Sequence, residues 1–526
     1  MIRSGRWSRV RAAFQLAAWL FFVALVIALR DPVEREALFG IVPLLSAHLG
    51  LATSLAARQL LSAFWPALVV LALTLAFGRF FCGWICPMGA TIDATDHAVR
   101  PDKINEWRRN GRMLWIKPVK YAVLAVSLIL AIAGANAAGI IDPLSLAFRS
   151  YSTVLFAYAD RLAKLVFEAL AAVPALSAVA EPIYGLLRER ALDPNPVVFH
   201  GHLAVLAVFV GVLAVSRLAR RFWCQALCPF GAVLALTARI GLLRRVVDTE
   251  ACTTCRRCER SCRMNAITDS GRGTREEECV KCFECLDACR DGAISFRFSR
   301  PFGKAARPAP AAGGVRTRRQ LLAGLASSAL LVPLVKHNAE ARKDFSAVIR
   351  PPGALPEREF LSQCLRCGAC MKACPTNALH PAVMEAGLEG LFTPRLIPRI
   401  GYCEYSCVLC TRICPTDALR PLAEADKERE VIGTAVIDRN LCIPWAEARE
   451  CLVCEEMCPV ADKAIKLRRT RMRRNDGKAV SVSLPFVVED RCIGCGACEN
   501  KCPVSGSSAI TVRVPKKAPA SRESSD

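Results

Sequence analysis

The sequence predicts a multi-domain chain in which an α-helical membrane domain with four transmembrane helices precedes two α+β modules rich in cysteine. Three features predict it. Apolar stretches of bilayer length are confined to the first 243 residues, 24 of the 28 cysteines fall in six groups of four, and a low-complexity interruption separates the second group from the third. The composition agrees, since 53% hydrophobic residues stand beside 22% charged ones, a balance that suits membrane and soluble parts in one chain.

Residues 1–243 carry the membrane signal. Positions 12–29 lie between Arg11 and Arg30, 60–78 between Gln59 and Arg79, and 121–141 between Lys120 and Asp142, each about long enough to cross a bilayer core. A fourth stretch, 197–216, holds His200 and His202 near its outer end. Residues 151–190 alternate apolar stretches with Arg161, Lys164, Glu168, Glu181, Arg188 and Arg190, the pattern of helices lying on or beside a membrane. Basic residues orient the spans. Arg3, Arg6, Arg9 and Arg11 precede the first, and Arg100, Lys103, Arg108, Arg109 and Arg112 fill the loop after the second, so a cytoplasmic N-terminus in a bacterial inner membrane is expected. Four spans return the chain to that side, where Arg217, Arg220 and Arg221 end the fourth.

The module at 244–300 is therefore expected in the cytoplasm. It holds Cys252, Cys255, Cys258 and Cys262, then Cys279, Cys282, Cys285 and Cys289. Cysteines at every third position wrap three corners of a [4Fe–4S] cube, and the fourth ligand arrives from elsewhere; in two-cluster ferredoxins the last cysteine of each motif serves the other cluster. Cys252, Cys255, Cys258 and Cys289 are thus expected on one cluster, and Cys279, Cys282, Cys285 and Cys262 on the other. Arg263 and Arg290 stand where a proline usually follows the fourth cysteine.

Residues 301–340 read as a linker and signal. Positions 301–316 are rich in Pro, Ala and Gly; Thr317-Arg318-Arg319-Gln320-Leu321-Leu322 and an apolar stretch to Val335 then have the form of a twin-arginine export signal or anchor inside the chain. The module at 341–526 is accordingly expected in the periplasm. It repeats the motif four times: Cys364, Cys367, Cys370, Cys374; Cys403, Cys407, Cys410, Cys414; Cys442, Cys451, Cys454, Cys458; and Cys492, Cys495, Cys498, Cys502. Pro375, Pro415, Pro459 and Pro503 follow them, the second motif has one extra residue and the third has six, Ile443 to Glu450. Spacing leaves open which of these motifs exchange ligands. Six motifs predict about six [4Fe–4S] clusters and about 24 iron atoms, with all 24 cysteines as iron ligands. A lone Cys-x-x-Cys also suits zinc or a disulfide, but six four-cysteine groups in so long a chain argue against both.

The last four cysteines form two matching elements, Cys82-Gly-Trp-Ile-Cys86-Pro87 and Cys224-Gln-Ala-Leu-Cys228-Pro229. Their repetition implies an internal duplication. Cysteines four apart share one helix face, so these pairs are candidates for holding a metal, forming a redox disulfide or lining a quinone pocket, against the plainer reading of small buried residues closing a turn. His48, placed in the first outer loop, is with His200 and His202 a candidate to hydrogen-bond a quinol at the outer face, and haem is not expected. The formal net charge is +23, of which thiolate-bound clusters cancel about half, and no nucleic-acid-binding motif accompanies it. Nucleic acid is therefore excluded as a partner, and no catalytic residue is legible.

With these motifs in view, the chain resembles a known electron-transfer system. Four spans, two Cys-x3-Cys-Pro elements and a two-cluster module resemble the H subunit of the periplasmic nitrate reductase system. Residues from Arg318 onward resemble its G subunit and the ferredoxin-type protein of methylamine utilisation. The resemblance implies an H–G fusion with ferredoxin-like polycluster modules, a quinol dehydrogenase-type electron carrier passing electrons from quinol to a periplasmic cytochrome or reductase, with membrane lipid as a further partner. The membrane core also resembles proteins that reduce metal ions during oxidase assembly, so a metal-reducing or redox-sensing maturation factor for a terminal oxidase or reductase is the alternative.

Overall fold

A computed structural model describes residues 5–29, 40–99, 116–190, 192, 198–299, 348–474 and 477–514. The linker and twin-arginine segment expected at 301–340 lie outside the described residues. Helix Arg6–Ala28, with 23 residues, is among the described residues the helix long and apolar enough to cross a membrane. The other three expected spans are shorter, at 13 residues for Trp65–Phe77, 14 for Val119–Ile132 and 13 for His202–Ala214. Such helices reach about 20 Å, against a hydrocarbon core of about 30 Å. Local chemistry explains the shortening. The second is preceded by a 3-10 turn, Ser62–Phe64, and begins as an α-helix only at Trp65, with Pro66 in its first turn; Gly134, at φ +88°, stops the third before the chain resumes as Ala138–Ile141. Hydropathy reports how apolar a stretch is, whereas glycine and proline decide whether its helix continues.

These four helices alternate in direction between two cysteine-rich bodies. At one end, Trp7 and Ser8 donate their backbone N–H groups to the Asp287 carboxylate, capping helix Arg6–Ala28 from within the first module. Lys117, just before the third helix, donates to the Met264 and Asn265 carbonyls at 2.9 Å, and the Phe77 ring meets Phe298 at 6.0 Å. At the opposite end, Asn136 donates to Ser362 O at 2.8 Å, Ser145 to Leu365 O at 2.6 Å and Arg149 to Arg366 O at 2.7 Å. Gly139 is required there, because a Cβ at that position would fall 2.1 Å from Leu365 O. Residues 151–190 form a π turn, Tyr151–Leu155, and two helices, Phe156–Ala171 and Pro174–Arg190, whose Leu162, Leu165, Leu176 and Val179 are exposed.

The cysteine-rich bodies use one plan three times. In each unit a β segment before two motifs pairs antiparallel with a segment after them. Leu243–Val247 pairs with Ile294–Phe298, and Thr434–Ile437 with Ile510–Arg513, while Ala354 and Leu419 form an isolated bridge. Each pair brackets eight cysteines. The C-terminal part therefore consists of two such units in tandem, with a hairpin, Ile465–Arg473 and Ala479–Val487, inserted between the third and fourth motifs of that part.

Candidate metal centres

The regular Cys-x-x-Cys-x-x-Cys loops share one backbone device. The residue before the second cysteine and the residue after it both have positive φ: Thr254 and Arg256, Lys281 and Phe283, Arg366 and Gly368, Gly494 and Gly496. Left-handed backbone at non-glycine residues costs energy, and its recurrence turns successive amides toward the enclosed space, an arrangement that favours an anion. The two motifs with insertions depart from this pattern; only Ala448, inside the second insertion, has positive φ among their inserted residues.

These loops bring the 24 cysteines into six quartets. One cavity is lined by Cys252, Cys255, Cys258 and Cys289, and another by Cys262, Cys279, Cys282 and Cys285. This is the exchange of fourth cysteines that the spacing leads one to expect. In the C-terminal part, where spacing left the partners open, the tertiary structure pairs neighbours. Cys370 faces Cys364, Cys367 and Cys414, while Cys410 faces Cys403, Cys407 and Cys374, so the first two motifs exchange ligands. Cys442, Cys451, Cys454 and Cys502 line one cavity and Cys458, Cys492, Cys495 and Cys498 another, so the last two do the same. Contacts between quartets set an order: Cys403 N donates to Cys495 O at 2.8 Å, and Cys498 is an electrostatic neighbour of Cys454.

The donor set fits iron–sulfur clusters. Each cavity presents four sulfurs, and backbone amides of Ala266, Ala378 and Ala435 donate to Cys262, Cys374 and Cys492 Sγ at 3.3 Å. Among the described residues no three His, Cys, Asp or Glu side chains stand close enough to share a single metal ion, as thiolates at the separate corners of a cube need not. Burial pushes the Cys403 thiol up to about 12 and Cys442 up to about 11, so metal binding is what would release these protons.

Cys82 lies in helix Phe80–Trp84 and Cys86 beyond its end, and Cys224 and Cys228 are likewise separated by the end of helix Phe222–Ala226. The pairs therefore do not share a helix face; Pro87 and Pro229 hold the preceding cysteine extended, as at Cys228 with ψ 112°. The two pairs instead meet each other: Cys228 has Cys224, Cys82 and Cys86 as electrostatic neighbours. His48 is not in a loop. It lies fully buried in helix Ala47–Ala57, with Nδ1 3.2 Å from Asp142 Oδ2 and Nε2 2.9 Å from Ser127 Oγ. The sequence signal for Asp142 is a carboxylate that borders an apolar stretch and precedes Pro143. His200 is exposed and its N–H donates to His380 Nδ1, and His202 Nδ1 lies 2.7 Å from Phe199 O. Arg263, in the place of the usual proline, reaches Glu284 at 2.6 Å and Asp93 at 3.2 Å and so docks the first module on the helices.

Two family models match, both described as 4Fe-4S binding domains: one over residues 59–103 and 201–248, the other over 360–380 and 485–505. The methylamine utilization ferredoxin-type protein MauM of Methylorubrum extorquens is 36% identical over 198 residues, 36% of this chain and 80% of that protein. The ferredoxin-type protein NapG of Escherichia coli is 38% identical over 185 residues, 34% of this chain and 75% of that protein, and NapG of Haemophilus influenzae is 35% identical over 181 residues, 34% of this chain and 63% of that protein. No solved structure matches the chain. The likenesses to NapG and MauM fall in the C-terminal half, and through it the chain belongs to the family of ferredoxin-type iron–sulfur electron-transfer proteins that includes them.

Proposed function

We propose that the chain is a membrane-bound electron carrier, a fusion of H-like and G-like parts, that takes electrons from quinol and delivers them to a periplasmic cytochrome or reductase. The observation that carries this reading is the placement of the quartets, two at one end of the helices and four in sequence at the other. Bound clusters would supply one-electron carriers, with potentials set by burial and hydrogen bonds to sulfur. The protein's part is to position them and shield them from water. Arg149 and Arg366, both fully buried, place positive charge beside Cys364 and Cys367 at the end of the quartet array that meets the helices.

Membrane attachment is supported by helix Arg6–Ala28 and by outward apolar residues such as Leu68, Leu73, Leu203 and Val210. We further propose that all four helices cross the bilayer, their short lengths met by local thinning, with the first module cytoplasmic and the second exported through Arg318-Arg319. Quinol oxidation must release protons, and the buried His48–Asp142–Ser127 group is placed to accept one. The resemblance of residues from Arg318 onward to the G subunit points to an acceptor within a periplasmic nitrate reductase chain.

The test is an anaerobic titration of purified membranes with a quinol analogue, followed optically and by EPR. Quinol is expected to reduce the clusters. If dithionite fills them and quinol fills none, the conduit reading fails and a maturation factor takes its place.

A further inference from the structure

We propose that Cys82, Cys86, Cys224 and Cys228 together ligate one more [4Fe–4S] cluster, inside the helical bundle and clamped between Arg79 and Arg221. This rests on the iron–sulfur electron-transfer reading above and deepens it. The duplication extends well beyond the cysteines: Arg79-Phe80-Phe81-Cys82 and Cys86-Pro87-Met88-Gly89-Ala90 match Arg221-Phe222-Trp223-Cys224 and Cys228-Pro229-Phe230-Gly231-Ala232. One element supplies two sulfurs, too few for a cube, and the fold brings the two halves face to face so that four sulfurs become neighbours. Both stretches fall within the segments matched by the first 4Fe-4S binding family.

The arginines cross between the halves. Arg221 Nη1 donates to Cys82 O at 2.9 Å and its Nη2 lies 3.4 Å from Gly89 O. Arg79 reaches the other way: a Cβ on Gly231 would fall 2.8 Å from Arg79 Nη2 and 3.3 Å from Cys228 Sγ, so guanidinium and sulfur border the same space. Arg79 is 0% exposed, yet its Nε and Nη2 have no hydrogen-bond partner, and neither does Nε1 of Trp223, the residue before Cys224. Buried donors without acceptors are costly and call for an anionic partner. Charge points the same way. Arg79, Lys117 and Lys120 are all buried around a single carboxylate, Glu278, whereas an oxidised cluster with its four thiolates carries about two negative charges. Transfer of a preformed cluster from a thiolate-bound donor breaks the donor's four iron–sulfur bonds and forms four new ones here, the four thiol protons passing to the donor's thiolates, with no change of oxidation state.

The location suits a carrier. A Cβ on Gly83 would meet Val280 O at 2.5 Å and Trp84 Nε1 donates to Lys281 O at 3.0 Å, so the site abuts the loop between Cys279 and Cys282.

The full-length protein, reconstituted anaerobically in detergent, should contain about 28 iron atoms per chain, falling to about 24 in the Cys82→Ser/Cys86→Ser/Cys224→Ser/Cys228→Ser variant. Should that variant fail to fold, alkylation of the unmutated protein decides instead: the four cysteines should resist iodoacetamide until a chelator strips the iron. A parent count of about 24, with these four thiols freely alkylated or recovered as disulfides, overturns the inference while leaving the six-quartet carrier intact. Zinc in place of iron in the six quartets would overturn the underlying reading as well.

Discussion

Replacing Glu278 by Gln should loosen the first module from the helices. Lys120 Nζ donates to Glu278 Oε1 at 2.6 Å and Arg79 Nη1 to Oε2 at 3.3 Å, and these side chains are 0–5% exposed. Lys117 adds a third positive charge nearby. Glutamine keeps the shape and one acceptor but leaves buried cations uncompensated. Breaking a buried pair costs roughly 3–5 kcal/mol, and the retained hydrogen bond argues for the low end, about 3 kcal/mol. That amount raises the population of the opened module about 100-fold. Limited trypsin digestion of the detergent-solubilised protein, scored at Lys281, which is buried where the module meets Trp84, should therefore speed up by about two orders of magnitude when opening is fast relative to cleavage. Glu447→Gln serves as control, because its ion pair with Arg449 is exposed and contributes little. Equal digestion of Glu278→Gln and parent would refute the claim that this buried ion pair fastens the module.

Three further outcomes are expected. Burial holds His380 neutral, lowering its pKa to about 4, so the unfolded chain alone takes up its proton between about 6.5 and 4; stability should fall as pH drops through that window, and His380→Gln should flatten the fall in denaturant titrations relative to the parent. Cys289→Ser should impair the cluster held with Cys252, Cys255 and Cys258, so that on iron analysis adding Cys258→Ser removes no further iron whereas adding Cys282→Ser removes about four more; the reverse pattern would contradict the ligand exchange. Changing Arg318 and Arg319 to Lys should keep the second module inside the cell, and unchanged cleavage by external protease in spheroplasts would defeat the export reading.

Much of the chemistry was local and therefore legible without coordinates. Cysteines at every third residue declare a metal-binding loop wherever the chain runs, and the exchange of Cys262 and Cys289 follows because two adjacent motifs have only each other as partners. Four motifs in the C-terminal part remove that uniqueness. Their pairing, first with second and third with fourth, is decided by the antiparallel segments that bracket each pair, contacts between residues up to 79 apart such as Thr434 and Arg513. Hydropathy located the apolar helices and overstated their lengths, because the late start at Pro66 and the break at Gly134 are backbone decisions made by single residues.

What composition and spacing determined was the type of chemistry: sulfur ligands in fours, an apolar half and a basic balance around them. What only the tertiary structure decided was which distant groups meet. Cys82 and Cys228 are more than a hundred residues apart and neighbours in space, His48 leaves its expected loop to pair with Asp142, and Arg79 ends buried beside sulfur with donors unsatisfied. Burial is a property of the packed chain, and a charge reveals that it awaits a partner only once water has been removed from around it.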